Sequence, residues 1–369
     1  MIYPDSPIPK YRETLFLKKT NAYIAVWEGH NYTEAEATTA SGISTVQWKE
    51  EFSAIFNMLM NHADNIYLNT NENDRASILV QSRDSRFVNE TKTKFPLHNY
   101  FRSAPIMSKL RTSKSAFEKE LLQVACDITT KAFKRVMKFI KPGVMEFEVE
   151  AEIMHEFLRN RASRNAYGSI IASGANACVL HYVDNNLECK NGDLILMDFG
   201  AEYANYCADL TRTIPVNGRF TPRQKDVYNA VLRVQREAIN MMSVGMILKE
   251  FNSEVGKVME GELKGLGLIN ENDINNQDPE MPAYKKYFMH GTGHHLGLDV
   301  HDIGDHYAPL PDGAVLTCEP GIYIPEEKIG IRIENDIMIT KNGKYDFMRE
   351  CPIEVEEIEE YMNAYQLAE

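Results

Sequence analysis

LILMDFGAEY (residues 194–203) and CADLTRTIPV (207–216), followed by LTCEPGIYI (316–324) and GIRIENDIMIT (330–340), set Asp198, Asp209, Glu319 and Glu334 inside apolar runs. A fifth group of ligand type, His294, lies in HGTGHHLGLDVHD (290–302). Carboxylates flanked by Leu, Ile, Met and Val are costly to bury unless something neutralises them. A pair of divalent cations does so, and two cations held by carboxylates are a device for hydrolysis. The chain reads as a metallohydrolase.

Spacing sharpens the reading. Asp198 and Asp209 differ by eleven, Glu319 and Glu334 by fifteen. An odd difference lets two residues face each other across an antiparallel hairpin on one face of the sheet. The first hairpin would turn between Tyr203 and Ala204, the second between Glu326 and Glu327. Like charges directly opposite destabilise a hairpin, so each pair invites a cation. Tyr203-Ala204 lacks the Asn-Gly chemistry of a tight turn, which leaves room for a bulge or wider loop. Four carboxylates and one imidazole make a hard, oxygen-rich set that favours Mn²⁺, with Co²⁺, Fe²⁺ or Zn²⁺ able to enter. Any one of these acids alone would pass for a solvated strand residue; five in apolar contexts do not.

His290, His294, His295 and His301 cluster in one glycine-rich segment. His290 and His294 are four apart as in HExxH, but Gly291 stands where the catalytic Glu would be, and three glycines disfavour a long helix. A zincin site is rejected, and the cluster is expected to line a pocket. His181, in CVLHYVDN, is a weaker candidate.

Around this core the chain of 369 residues divides. Residues 11–104 alternate short apolar runs with polar stretches and one weak helix near 48–62, as in part of an α/β domain. APIMSKLRTSKS (104–115) reads as loop and marks a boundary, giving domains 1–108 and 109–369. Ser115 and Glu118 then form a capping box. Phe117, Leu121, Ala125, Ile128, Ala132, Val136 and Ile140 follow at helical spacing until Lys141-Pro142-Gly143. A second helix is expected over about 146–160, short strands over 168–216, and a long helix from the Thr221-Pro222 cap to about 242. Another helix starts near 247, 270–282 is polar loop, and strands return over 288–340. Two helix-then-strand blocks suggest a duplicated α+β core.

A net charge of −13 argues against nucleic-acid partners, where a basic patch supplies the affinity. Six scattered cysteines without a CxxC pair fit neither a zinc ribbon nor a disulfide framework. No apolar run has the length of a signal peptide or a membrane span, so a reducing cytoplasm and no membrane partner are expected.

HxxGHxxGLDVHD, EPGIYI and IRIEND, preceded by DFGAEY and ADLTRT in this order, resemble the pita-bread metallopeptidases of the creatinase/aminopeptidase type, within them aminopeptidase P, over about residues 105–360. The resemblance implies a duplicated α+β catalytic domain with two metals, usually manganese, behind a smaller α/β, ribonuclease H-like domain. By motif, Asp198 would chelate one metal, Asp209 and Glu334 would bridge both, and His294 and Glu319 would complete the other. His181, His290 and His301 match substrate-contacting, catalytic histidines; Tyr323 and Arg332 match groups beside the metal carboxylates, Tyr323 facing substrate. The implied reaction is release of the N-terminal residue from peptides with proline second, by attack of a metal-bridging hydroxide. His301 would stabilise the oxyanion and Glu319 would protonate the leaving nitrogen. Prolidase, which takes only Xaa-Pro dipeptides, shares the metal motif. A non-catalytic peptide-binding module is disfavoured by the intact ligand set. Such proteins usually carry many more residues before the counterpart of TLFLKKTNAYIAVWEG (14–29), so a shortened leading domain is expected, with exposed sheet edges that favour a dimer or tetramer.

Overall fold

The structure is a computed structural model and describes residues 1–70, 72 and 79–366. The chain splits into two compact units, Met1–Ile106 and Met107–Glu369.

The smaller unit alternates strands and helices. In order come β1 (Leu15–Leu17), α1 (Ala22–Glu28), α2 (Glu34–Ser41), β2 (Val46–Trp48) and α3 (Phe52–Met60). They are followed by β3 (Asn65–Leu68), α4 (Arg83–Lys94) and β4 (Asn99–Arg102). β1 pairs parallel with β2 and β3 parallel with β4, as helix-connected strands of an α/β domain do. Helix α3 falls inside the weak helical segment expected at 48–62.

One expectation fails at the boundary. The segment read as loop is a helix, α5 (Ala104–Thr112). Its proline is the second residue, where a missing N–H costs no intrahelical bond. Its last turn carries Arg111, whose guanidinium bonds Asp299 at 2.7 Å and also Asp302. That tertiary anchor overrides weak local propensity.

The larger unit opens with α6 (Ala116–Phe139) and α7 (Glu146–Arg159). The Ser115/Glu118 capping box is present in both directions. Ala125, Ile128, Ala132, Val136 and Ile140 are buried as the spacing requires, whereas Phe117 is 67% exposed. The buried stripe begins a turn later, at Leu122, because the first turn projects beyond the core.

Short β5 (Arg164–Asn165) leads to β6 (Ile170–Ser173), then β7 (Leu194–Phe199), β8 (Ala201–Tyr203), β9 (Tyr206–Cys207) and β10 (Leu210–Pro215). Helices α8 (Pro222–Met241), α9 (Leu248–Gly265) and the short α10 (Glu271–Asn275) follow, α10 interrupting the expected polar loop. Its Asn270 cap and Asp273 close a capping box that nucleates a single turn. The chain then supplies β11 (Ala314–Cys318), β12 (Gly321–Ile324), β13 (Ile329–Arg332), β14 (Asn335–Thr340), β15 (Gly343–Asp346) and α11 (Val355–Gln366).

Two antiparallel three-stranded sheets, ordered β10-β7-β6 and β11-β14-β15, each follow a pair of long helices. The apolar faces of both blocks share one core, running from Leu122 and Phe133 through Ile195 and Val231 to Ile337 and Ile358. This is the pita-bread α+β architecture, preceded by an α/β unit.

Candidate metal centre

The acidic strands meet where the two blocks meet. β7 carries Asp198, and Asp209 stands just before β10. Glu319 sits between β11 and β12, and Glu334 between β13 and β14.

The second acidic hairpin has the expected register. Cys318 pairs with Asn335 and Gly321 with Arg332, which sets Glu319 opposite Glu334 at the break between two ladders. Pro320, which has no N–H, lies in that break and accepts from the Ile333 N–H at 3.3 Å.

The first hairpin is displaced. Asp198 pairs with Thr211, not with Asp209. The turn falls on Ala204-Asn205, with φ of 49° and 70°, one residue beyond the expected midpoint. Tight two-residue hairpins need positive φ at both positions, and Asn tolerates it. Asp209 therefore lies diagonally across from Asp198, two residues from its direct partner, and still on the same face.

Asp209, His294 and Glu334 each offer a ligand atom, and these atoms lie within 4.8 Å of one another. All three are buried. His294 Nε2 is 3.4 Å from Asp209 Oδ2 and 3.8 Å from Glu319 Oε1. Its Nδ1 faces the His295 carbonyl at 3.0 Å, so the ring network assigns the proton there and leaves Nε2 free to ligate. Burial, then the Asp198 charge, pushes the Asp209 carboxyl well above its usual range. Burial, then Asp209, does the same to Glu334. Glu319 is pushed up to about 7, chiefly by removal from solvent. Acids crowded in this way want a cation or protons. The donor set fits a divalent metal.

Asp198 and Glu319 adjoin that triad. Asp198 Oδ2 accepts from Arg332 Nη2 at 2.5 Å, and its Oδ1 is 2.5 Å from the Tyr167 hydroxyl. The same hydroxyl contacts Asp209 Oδ1. One O–H cannot donate to both acids at once, so the Tyr167 hydroxyl is shared between Asp198 and Asp209. Arg332 also donates to Tyr323 Oη at 3.0 Å and to Thr211 Oγ1 at 3.0 Å; Thr211 in turn donates to Glu334 Oε2 at 2.5 Å.

Tyr323 bonds His290 Nε2 at 2.8 Å, and His290 Nδ1 faces the Gly291 carbonyl at 2.7 Å. The directions agree: Arg332 donates to Tyr323, Tyr323 to His290, and His290 to the backbone. Burial, then Arg332, lowers His290 to about 3, which keeps the ring neutral. His290 Nδ1 lies 3.8 Å from Glu319 Oε2. His301 lies against His294 with ring centroids 3.8 Å apart and the planes tilted by 38°. His181 is exposed.

Three polar residues of this surround went unread in the sequence. Tyr167 and Thr211 touch the acids directly. Asp336, fully buried, accepts from the Asp209 N–H at 3.0 Å and from Cys126 Sγ at 3.3 Å. The IRIEND motif contained Asp336, and its burial in an apolar strand was the available signal.

A duplicated α+β fold with converging strand acids and a metal-ready histidine defines a pita-bread metallohydrolase. The sequence pattern of metallopeptidase family M24 matches residues 120–341, and that of the aminopeptidase P N-terminal domain matches residues 1–67. The Xaa-Pro aminopeptidases of Haemophilus influenzae and Escherichia coli are each 34% identical to the chain; the alignments cover 95% of it and 81% and 82% of those proteins. A putative aminopeptidase P from Bacillus anthracis superposes with a TM-score of 0.88 at 34% identity, covering 95% of this chain and 82% of that one. Zinc-substituted Escherichia coli aminopeptidase P in complex with product gives 0.84 at 33% identity, covering 95% and 82%. The chain belongs to metallopeptidase family M24.

Proposed function

We propose that the chain is a metal-dependent Xaa-Pro aminopeptidase, releasing the N-terminal residue from peptides with proline in second position. The buried Asp209–His294–Glu334 cluster carries the reading, and the names borne by its 34%-identical relatives support the substrate class.

Asp198, Asp209, His294, Glu319 and Glu334 would hold two divalent metals, most readily Mn²⁺, with Co²⁺, Zn²⁺ or Fe²⁺ as alternatives. When bound, such ions activate water at neutral pH and polarise a carbonyl. The chain's own groups do the rest. Glu319 can pass a proton to the leaving secondary amine of proline. His301, beside His294, would stabilise the developing oxyanion. His290 and Tyr323, locked by Arg332, offer a rigid wall for the proline ring, and His181 contacts the substrate from the exposed side.

The leading domain, over about 1–108, is assigned a ribonuclease H-like fold, and the catalytic domain runs from 109. Association into a dimer or tetramer is inferred for the whole. The six cysteines are all free, which supports a reducing cytoplasm. Among the described residues no helix is long and apolar enough to cross a membrane.

Hydrolysis of an Xaa-Pro dipeptide and an Xaa-Pro-Xaa tripeptide by metal-stripped and Mn²⁺-restored protein tests the reading. Metal-dependent cleavage of the tripeptide before proline is expected. Cleavage of the dipeptide alone would make the chain a prolidase, and cleavage of neither would overturn the assignment.

A further inference from the structure

His181 rides on a strap, residues 174–186, that leaves β6 and returns to the sheet before β7. The strap lies close on β13: a Cβ at Gly330 would stand 2.0 Å from the Ala177 carbonyl oxygen, a separation that admits only glycine. Cys178 Sγ adds a contact to the Ile329 carbonyl at 3.4 Å. β13 ends in Arg332, so the strap is built against the strand that orients the His290 side of the site.

Behind the strap sits Glu146, the first residue of α7 and fully buried. It accepts four hydrogen bonds, and all come from the strap or its two feet. Oε1 receives the Ser173 N–H and Oγ–H, each at 2.7 Å. Oε2 receives the Leu187 N–H at 2.9 Å and the Tyr182 O–H at 2.7 Å. Ser173 is where the strap departs, Leu187 is where it arrives, and Tyr182 is the neighbour of His181. A carboxylate satisfied by donors rather than by a cation is a rigid hub here, because two of its four donors are backbone N–H groups that cannot turn away.

We propose that Glu146 is a positioning residue for His181, holding the strap through Tyr182 and both feet so that the histidine meets peptide at a fixed place. The proposal rests on the reading of His181 as a substrate contact. Glu146 does not touch substrate; it sets the distance between the strap and the metal acids. Replacing one of its oxygens by an amide leaves a backbone N–H of Ser173 or Leu187 without an acceptor, since a backbone donor cannot reverse as a hydroxyl can. Tyr182→Phe removes the bond to Glu146, together with the longer contacts of the same hydroxyl to Asn186 Oδ1 at 3.4 Å and from the Asn186 N–H at 3.5 Å, and leaves both feet held.

The test is steady-state hydrolysis of an Xaa-Pro-Xaa tripeptide by the Mn²⁺-restored full chain, with metal content measured on each variant. Tyr182→Phe is expected to raise KM roughly three- to tenfold, with kcat within about twofold and metal content unchanged. Glu146→Gln is expected to raise KM at least as far. On a His181→Ala background the Tyr182→Phe effect is expected to vanish, because the two act through one contact. An equal effect of Tyr182→Phe with and without His181, or a fall in metal content that accounts for the loss, would overturn the proposal. So would an unchanged KM in Tyr182→Phe beside a raised KM in His181→Ala, which would spare the reading of His181. An unchanged KM in His181→Ala would sink that reading and the proposal together. Should Glu146→Gln fail to fold, the Tyr182 and His181 cycle still decides.

Discussion

Tyr167 stands between Asp198 and Asp209 with one proton for two acids. It orients the pair without being a ligand, as the outer partners of metal ligands commonly do. Tyr167→Phe is expected to cost about 10- to 100-fold in metal affinity or turnover, read by metal titration and tripeptide hydrolysis. Asp209→Asn removes a ligand from the centre of the cluster and is expected to abolish turnover while the far-UV circular dichroism stays native. Glu319 supplies a pH test. Its carboxyl is raised from 4.5 to about 7, so the folded, metal-stripped protein holds a proton there that the unfolded chain has released. That contribution is present below 4.5 and lost as pH rises through about 7. Metal-stripped Glu319→Gln is therefore expected to gain in Tm over the parent across this window. Parallel Tm curves would show that Glu319 is not raised.

At the scale of elements, the stretch that opens the larger unit is held by buried charge. Lys114 and Arg111 both bind the buried Asp302 carboxylate, Lys114 at 3.2 Å. The Asp302 N–H bonds the His295 carbonyl at 2.8 Å, the same oxygen that receives Nδ1 of His294. Asp302→Ala leaves a buried lysine without its partner and is expected to destabilise by about 3–5 kcal/mol. Urea unfolding at neutral pH measures it, and a loss under about 1 kcal/mol would mean the pair is solvated as surface pairs are. Gly330→Ala sets a methyl against the Ala177 carbonyl and is expected to cost about 1–3 kcal/mol by overpacking, with tripeptide KM rising as the strap shifts.

Across the whole molecule, the two helix-then-sheet blocks bury acids at their junction that neither would tolerate alone. Metal binding is then a folding term. Added Mn²⁺ is expected to raise Tm, and more so at pH 8 than at pH 5.5, because the ligands must shed protons to bind. A metal-induced shift independent of pH would argue that the acids are already ionised. The duplication was readable as two blocks of helices followed by acidic strands, though no repeat in the residues marked it.

What the sequence determined by itself is local chemistry. The capping box at Ser115, the N-cap at Thr221, the register that opposes Glu319 to Glu334, and the apolar setting of five ligand-type residues all follow from period, caps and burial cost. Where expectation failed, a tertiary contact decided. The α5 helix is fastened by Arg111 to residues nearly two hundred positions on, and the Asp198 hairpin turns on the positive φ of Ala204-Asn205. Only the tertiary structure could bring Thr211 to Glu334, Tyr167 to Asp209 and Glu146 to both ends of the His181 strap. Those partners are polar residues of ordinary local context. Their neighbours are fixed by how the helices and sheets pack into one core, and no short-range pattern records that packing.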